Sequence, residues 1–166
     1  MGRLSLFAQG LHSPSIPLSM KNILVPVELD EANERVVAKA AEIAGPFDPQ
    51  LWLIHVAAPD PAFVGYEPGP QYIRDIRAEE LREEHAMLQR WRDGLIARGL
   101  RAQALLVQGI TAETILEEAQ RLRADLVVMG SHGRHGLRKA LLGSVCSSII
   151  HANRFSVLVV PIHEKH

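Results

Sequence analysis

The feature that most constrains this chain is a set of five short apolar runs, at 22–27, 51–56, 102–107, 126–129 and 156–160. Most are near-continuous Val, Leu and Ile rather than alternating, which is the pattern of strands buried on both faces. Gln103 makes the third run the least regular. Between the runs lie segments of helical periodicity. Asp30 is placed as an N-cap before Ala32, Val36, Val37, Ala40 and Ala41, with Gly45-Pro46 as the stop. A loop rich in Pro and Gly, 59–70, leads into a long charged helix with an apolar stripe of Ile73, Ile76, Leu81, His85, Leu88 and Leu95. Thr111 is expected to cap a third helix, and a fourth is expected to begin near Gly143-Ser144 and end before Asn153. Alternating strands and helices with right-handed crossovers imply an α/β protein, a parallel sheet between two helix layers.

A chain of 166 residues with 47% apolar and 22% charged content has the material for one core. The organisation expected is an N-terminal extension over 1–19, one domain over 20–163 and a tail over 164–166, with Met20 as an alternative start. The extension lacks the sustained apolar block of a signal peptide, and no run approaches the roughly 18–20 residues that span a bilayer. The single cysteine, Cys146, excludes an internal disulfide or a multi-Cys zinc site and suits a reducing cytoplasm. A net charge of −1 disfavours broad attraction to nucleic acid or membrane.

In doubly wound sheets ligands bind beyond the carboxyl ends of the strands, so the loops that follow strands carry the argument. The first, Glu28-Leu29-Asp30-Glu31-Ala32, has no glycine, which argues against a Rossmann dinucleotide turn. The glycines stand after the fourth strand, at 130, 133 and 136, and Gly143-Ser144 then opens a helix. Glycines allow main-chain N–H groups to approach a phosphate, and a helix N-terminus favours an anion. No Gly-Lys-Ser/Thr follows at Walker spacing. From Leu126 to His163 there are Arg134, Arg138, Lys139 and Arg154 but no Asp or Glu, so this stretch is +4 within a chain of net −1.

Other residues offer weaker chemistry. His132 and His135 have no nearby Cys or carboxylate to complete a metal shell, so no protein-held metal is expected. Cys146, on a first helical turn near cations, reads either as a reactive thiol or as a small packing residue. Ser144, Ser147 and Ser148 lie in no Gly-x-Ser-x-Gly elbow, and no general base is evident, so catalysis is not predicted.

The pattern Gly130-x2-Gly133-x9-Gly143-Ser144 resembles the nucleotide-binding signature of the universal stress protein family. So do its flanks, Asp125-Leu-Val-Val-Met129 and Phe155-Ser-Val-Leu-Val-Val-Pro161, the opening Ile23-Leu-Val-Pro-Val27, and His55-Val56. The resemblance runs from about Lys21 to Ile162. It implies a five-stranded sheet of order 3-2-1-4-5, a homodimer joined through the edge strand 156–160, and a site for ATP, ADP or AMP with Mg2+ held through the phosphates. Carried over, Pro26, Val27, Glu28 and Val56 would surround adenine and ribose. Met129, Gly130, His132 and Gly133 would line ribose and phosphates, with Arg134 as a further candidate, and Gly143, Ser144, Val145 and Cys146 would hold the phosphate tail. Glu28 stands where the nucleotide-binding branch has Asp, and is one methylene longer. The implied role is a cytoplasmic stress-response protein that binds an adenine nucleotide as a regulatory ligand with little or no hydrolysis. Two other readings of the same residues are a dimeric interaction protein with a vestigial loop, and a slow ATPase.

Overall fold

A computed structural model describes residues 19–59, 70–131 and 142–162. Its elements alternate throughout: β1 (Asn22–Pro26), α1 (Glu31–Ala44), β2 (Gln50–Ala57), α2 (Gln71–Ala97), β3 (Arg101–Gln108), α3 (Thr111–Arg121), β4 (Leu126–Gly130), α4 (Ser144–His151) and β5 (Ser156–Val160). All strand pairs are parallel and the order is β3-β2-β1-β4-β5, the arrangement that the resemblance implies.

Strand alternation divides the core into two layers. Ile23, Val25 and Val27 of β1, with Leu51 and Leu53 of β2, pack against α1 through Val36, Val37, Ala40 and Ala44, and against α2 through Leu88 and Leu95. Leu24, Ile54, Val127 and Met129 point to the other side, onto Ile115 and Ala119 of α3 and Cys146 and Ile149 of α4. Central strands with helices on both faces explain why their sequences read as unbroken apolar runs.

Two local expectations are corrected. Thr111 is the first helical residue of α3 rather than its cap: Ile110 holds the extended N-cap conformation, and its carbonyl accepts the N–H of Thr114 at 2.9 Å. The helix therefore starts one residue too early for a hydroxyl cap at Thr111. In α2 the stripe is buried only in part. Leu88 and Leu95 are in the core, whereas Ile73, Ile76 and His85 are exposed. Geometry explains this: 27 helical residues extend about 40 Å, whereas the eight-residue strands β2 and β3 extend about 26 Å. Because α2 runs back from the carboxyl edge of the sheet, its first turns overhang that edge.

Candidate functional site

The order β3-β2-β1-β4-β5 places the reversal of winding between β1 and β4, so their carboxyl ends border the crevice where such sheets take ligands. On the β1 side, Pro26 and Val27 are buried and Glu28 is half-buried. The Val27 N–H donates to the Ile54 carbonyl at 2.9 Å. Its side chain belongs to the α1/α2 layer, opposite to the layer that holds Val56 and Met129. Any contact from Val27 to a ligand in that second layer is thus a main-chain contact.

Leu29 follows with φ 49°, left-handed backbone at a bulky buried residue. Asp30 then caps α1, its Oδ1 accepting the N–H of Asn33 at 3.0 Å and the Asn33 side-chain amide at 2.6 Å. This cap was legible in the sequence. With Asp30 committed to the helix start, Glu28 is the carboxylate at the strand end that carries the family-like position.

On the β4 side, Met129 is buried and Gly130 pairs with Val160. Ser131, also buried, donates its N–H to the Val160 carbonyl at 2.9 Å and accepts the Gly143 N–H at 2.8 Å. The chain leaving β4 and the chain entering α4 are therefore tied together directly over the strand end. His132, Gly133 and Arg134, with His135, Gly136, Arg138 and Lys139, lie outside the described residues.

Gly143 occupies the N-cap of α4 with φ −59°, and among the described residues no side-chain cap of the helix is seen. Since any residue can adopt that φ, what glycine contributes here is the absence of a side chain in front of the helix end. The Ser147 N–H reaches the Gly143 carbonyl at 2.9 Å, so the first main-chain N–H groups, on Ser144, Val145 and Cys146, precede the ladder and carry the positive end of the helix dipole. The Ser144 side chain is exposed, Val145 is half-buried and Cys146 is buried. Val145, Cys146, Val56 and Met129 share one apolar cluster, so those four sequence candidates do come together. Burial pushes the Cys146 thiol above its ordinary range, which makes it a packing residue rather than a reactive one.

Electrostatics correct one inference. Arg154 belongs to the +4 stretch but precedes β5, at the amino edge of the sheet. There it donates to Gln120 of α3 and its guanidinium lies 5.9 Å from the centre of the Phe155 ring. It supplies no charge to the crevice. Among the described residues no three His, Cys, Asp or Glu converge as a metal shell, and no helix is long and apolar enough to cross a membrane.

One residue escaped the sequence reading as a functional side chain. His55 of β2 sits on the α1/α2 side and makes a 2.7 Å hydrogen bond from Nδ1 to the Val27 carbonyl. The signal was available: alternation places position 55 on the same face as Leu51 and Leu53, so it is a polar ring at the end of an apolar stripe.

The sequence pattern of the universal stress protein family matches residues 20–161. The universal stress protein MJ0531 of Methanocaldococcus jannaschii is 30% identical over 146 residues, 84% of this chain and 81% of that protein. Universal stress protein A homolog 2 of Coxiella burnetii is 34% identical over 149 residues, 86% of this chain and 95% of its own length. Among solved structures, that of protein MJ0577 superposes with a TM-score of 0.77 at 24% identity, covering 90% of this chain and all of that one. A universal stress protein in complex with cAMP aligns with a TM-score of 0.63 at 22% identity, over 87% of this chain and 99% of its own. The Archaeoglobus fulgidus protein in complex with dAMP aligns with a TM-score of 0.60 at 19% identity, over 84% and 96% of the two chains. With the matched segment spanning every element from β1 to β5, this chain belongs to the universal stress protein family.

Proposed function

We propose that this protein is a cytoplasmic stress-response regulator that binds an adenine nucleotide, ATP, ADP or AMP, between the carboxyl ends of β1 and β4 and hydrolyses it slowly or not at all. The observation that carries this reading is the Gly143–Ser131 hydrogen bond, which joins a helix N-terminus with glycine at its cap to the end of the strand that borders the crevice. A phosphate there would meet the N–H groups of Ser144, Val145 and Cys146 and the Ser144 hydroxyl. Gly130, His132, Gly133 and Arg134 are assigned to ribose and phosphates with Met129, and Pro26, Val27, Glu28 and Val56 to the base and ribose. Mg2+ would be held chiefly by phosphate oxygens. Two distant members of the fold, solved with cAMP and with dAMP, support an adenine nucleotide as the ligand class.

The test is direct. Protein purified without added ligand is denatured and the supernatant read by mass spectrometry, and melting is followed with ATP, ADP and AMP. A ligand at 100 times its Kd stabilises by about 2.7 kcal/mol. Gly143→Asp and Gly133→Asp, which add bulk and negative charge to the cradle, are expected to abolish that shift. An unchanged shift in both refutes the site, and rapid steady-state release of phosphate that is lost in Ser144→Ala refutes the claim of slow or absent hydrolysis.

The same reading includes a homodimer paired through β5. Val157, Leu158 and Val159 are only half-buried, and an apolar edge strand requires cover. Light scattering should give a dimer that Leu158→Lys converts to monomer.

A further inference from the structure

His55 occupies a place where β1 stops pairing and the ligand-side turn begins. The β1–β2 register ends at the pair Pro26–Ile54. One residue later, Val27 is held by β2 from both of its main-chain groups: its N–H by the Ile54 carbonyl at 2.9 Å, and its carbonyl by the His55 ring at 2.7 Å. A side chain has taken the role that a main-chain N–H plays further back in the ladder. A carbonyl only accepts, so Nδ1 must carry a hydrogen.

The peptide bonded in this way is the one that joins Val27 to Glu28. Holding its carbonyl against β2 fixes the plane of that peptide and the direction in which Glu28 leaves the strand. The next residue, Leu29, is at φ 49°. A bulky residue kept in left-handed backbone needs surroundings that over-determine it, and the His55 bond is one such constraint. The far side of the ring faces α2, with Nε2 3.9 Å from Glu84 Oε2. That oxygen is the one buried side-chain oxygen without a hydrogen-bond partner among the described residues. The ring itself is 13% exposed. It therefore sits between the main chain of β1, to which Nδ1 is hydrogen-bonded, and a carboxylate of α2 that lies beyond hydrogen-bond distance of Nε2.

We infer that His55 is the positioning residue for the β1–α1 turn: its Nδ1–H sets the Val27–Glu28 peptide and so the base-side selectivity of the nucleotide site. This rests on the nucleotide reading for its ligand and on the two hydrogen bonds to Val27 for its mechanism. His55 lies on the α1/α2 face of the sheet, opposite to the layer that holds α4, so its influence falls on the base and ribose side.

The variants are His55→Leu, which removes the donor, and His55→Asn, whose amide N–H reproduces the position of Nδ1–H. Loss of one such hydrogen bond is expected to weaken ATP binding about tenfold in His55→Leu and to narrow the ratio of ATP to GTP affinity. His55→Asn should restore both, and affinity for inorganic tripolyphosphate should be the same in all three proteins. A merely structural role would lower all affinities together and leave the ratio unchanged, and that result overturns the inference. Nitrogen NMR of the ligand-free wild type supplies an independent reading. Nδ1 should be protonated, and the Val27 carbonyl and Glu28 amide signals should move in His55→Leu and return in His55→Asn. If the wild type binds neither ATP nor GTP, the nucleotide reading fails, and these ligand-free signals alone decide whether His55 sets the turn. An Nδ1 without a proton in the wild type, or signals that do not move, refutes it.

Discussion

Leu29 offers a stability test in which two effects of known sign compete. It is 5% exposed and lies at φ 49°, immediately after Glu28. Truncation of a buried leucine to alanine costs about 2–5 kcal/mol. Leu29→Ala keeps the left-handed penalty, about 1–2 kcal/mol for a residue with a Cβ. Leu29→Gly loses the same side chain but escapes that penalty, while the extra freedom of an unfolded glycine takes back about 0.5–1 kcal/mol. The balance favours glycine over alanine by about 1 kcal/mol, the reverse of the ordinary order at helix and strand positions. Both variants should be less stable than the parent, with Leu29→Gly melting about 2–4 °C above Leu29→Ala. Urea unfolding followed by the fluorescence of Trp52 and Trp91 measures both, provided that the denaturant slopes agree. Glycine equal to or below alanine, at equal slopes, refutes the claim that this turn stores backbone strain.

Two further perturbations read the structure elsewhere. A Cβ at Gly109 would meet Thr114 Oγ1 at 2.3 Å, and Thr114 is buried. Gly109→Ala should therefore destabilise by about 1–3 kcal/mol, and in the Thr114→Ala background the same change should cost little, a coupling measured by a double-mutant cycle. Burial raises the Cys146 thiol, so at pH 8 its alkylation by iodoacetamide should be far slower in the native protein than in urea. The sign for stability follows: above about pH 8.5 the unfolded thiol ionises while the native one keeps its proton, so stability falls as pH rises. The wild type minus Cys146→Ala difference, measured by urea titration from pH 7 to 10, isolates that slope, and a rising difference contradicts it.

The strands were legible because burial on both faces writes itself into consecutive residues: Ile23, Leu24 and Val25 point to alternate layers and all three are fully buried. Asp30 was legible because a cap is a local bond between residues three apart. Where the expectation failed, the deciding fact was not local. The spacing of Ile73 and Ile76 is helical, and they are helical, but whether that face is covered depends on how far the sheet extends beneath them. Likewise Thr111 carries cap chemistry, yet the extended conformation at Ile110 had already begun the ladder.

The same distinction governs the site. Gly143-Ser144 as a helix start is a property of neighbours in sequence, and it was readable there. That this start is tied to Ser131, or that a ring on β2 holds the carbonyl of Val27, joins residues 12 and 28 positions apart, and no periodicity encodes such pairs. Charge summed along the chain misleads for a related reason. A stretch that passes through α4 and returns along β5 crosses the sheet from its carboxyl edge to its amino edge, and the return strand alone extends about 16 Å over its five residues. The absence of Asp and Glu from 126–163 therefore describes both edges at once. Arg154 lies at the amino edge, beside Gln120 and Phe155, with a strand length of about 16 Å between that edge and the carboxyl edge, about two Debye lengths at 0.15 M ionic strength, and so contributes little there. Attraction for an anion at that end must come from charges and dipoles within its own reach. Of those described, the main-chain N–H groups of Ser144, Val145 and Cys146 are the ones in place, and an aspartate at 143 opposes them directly.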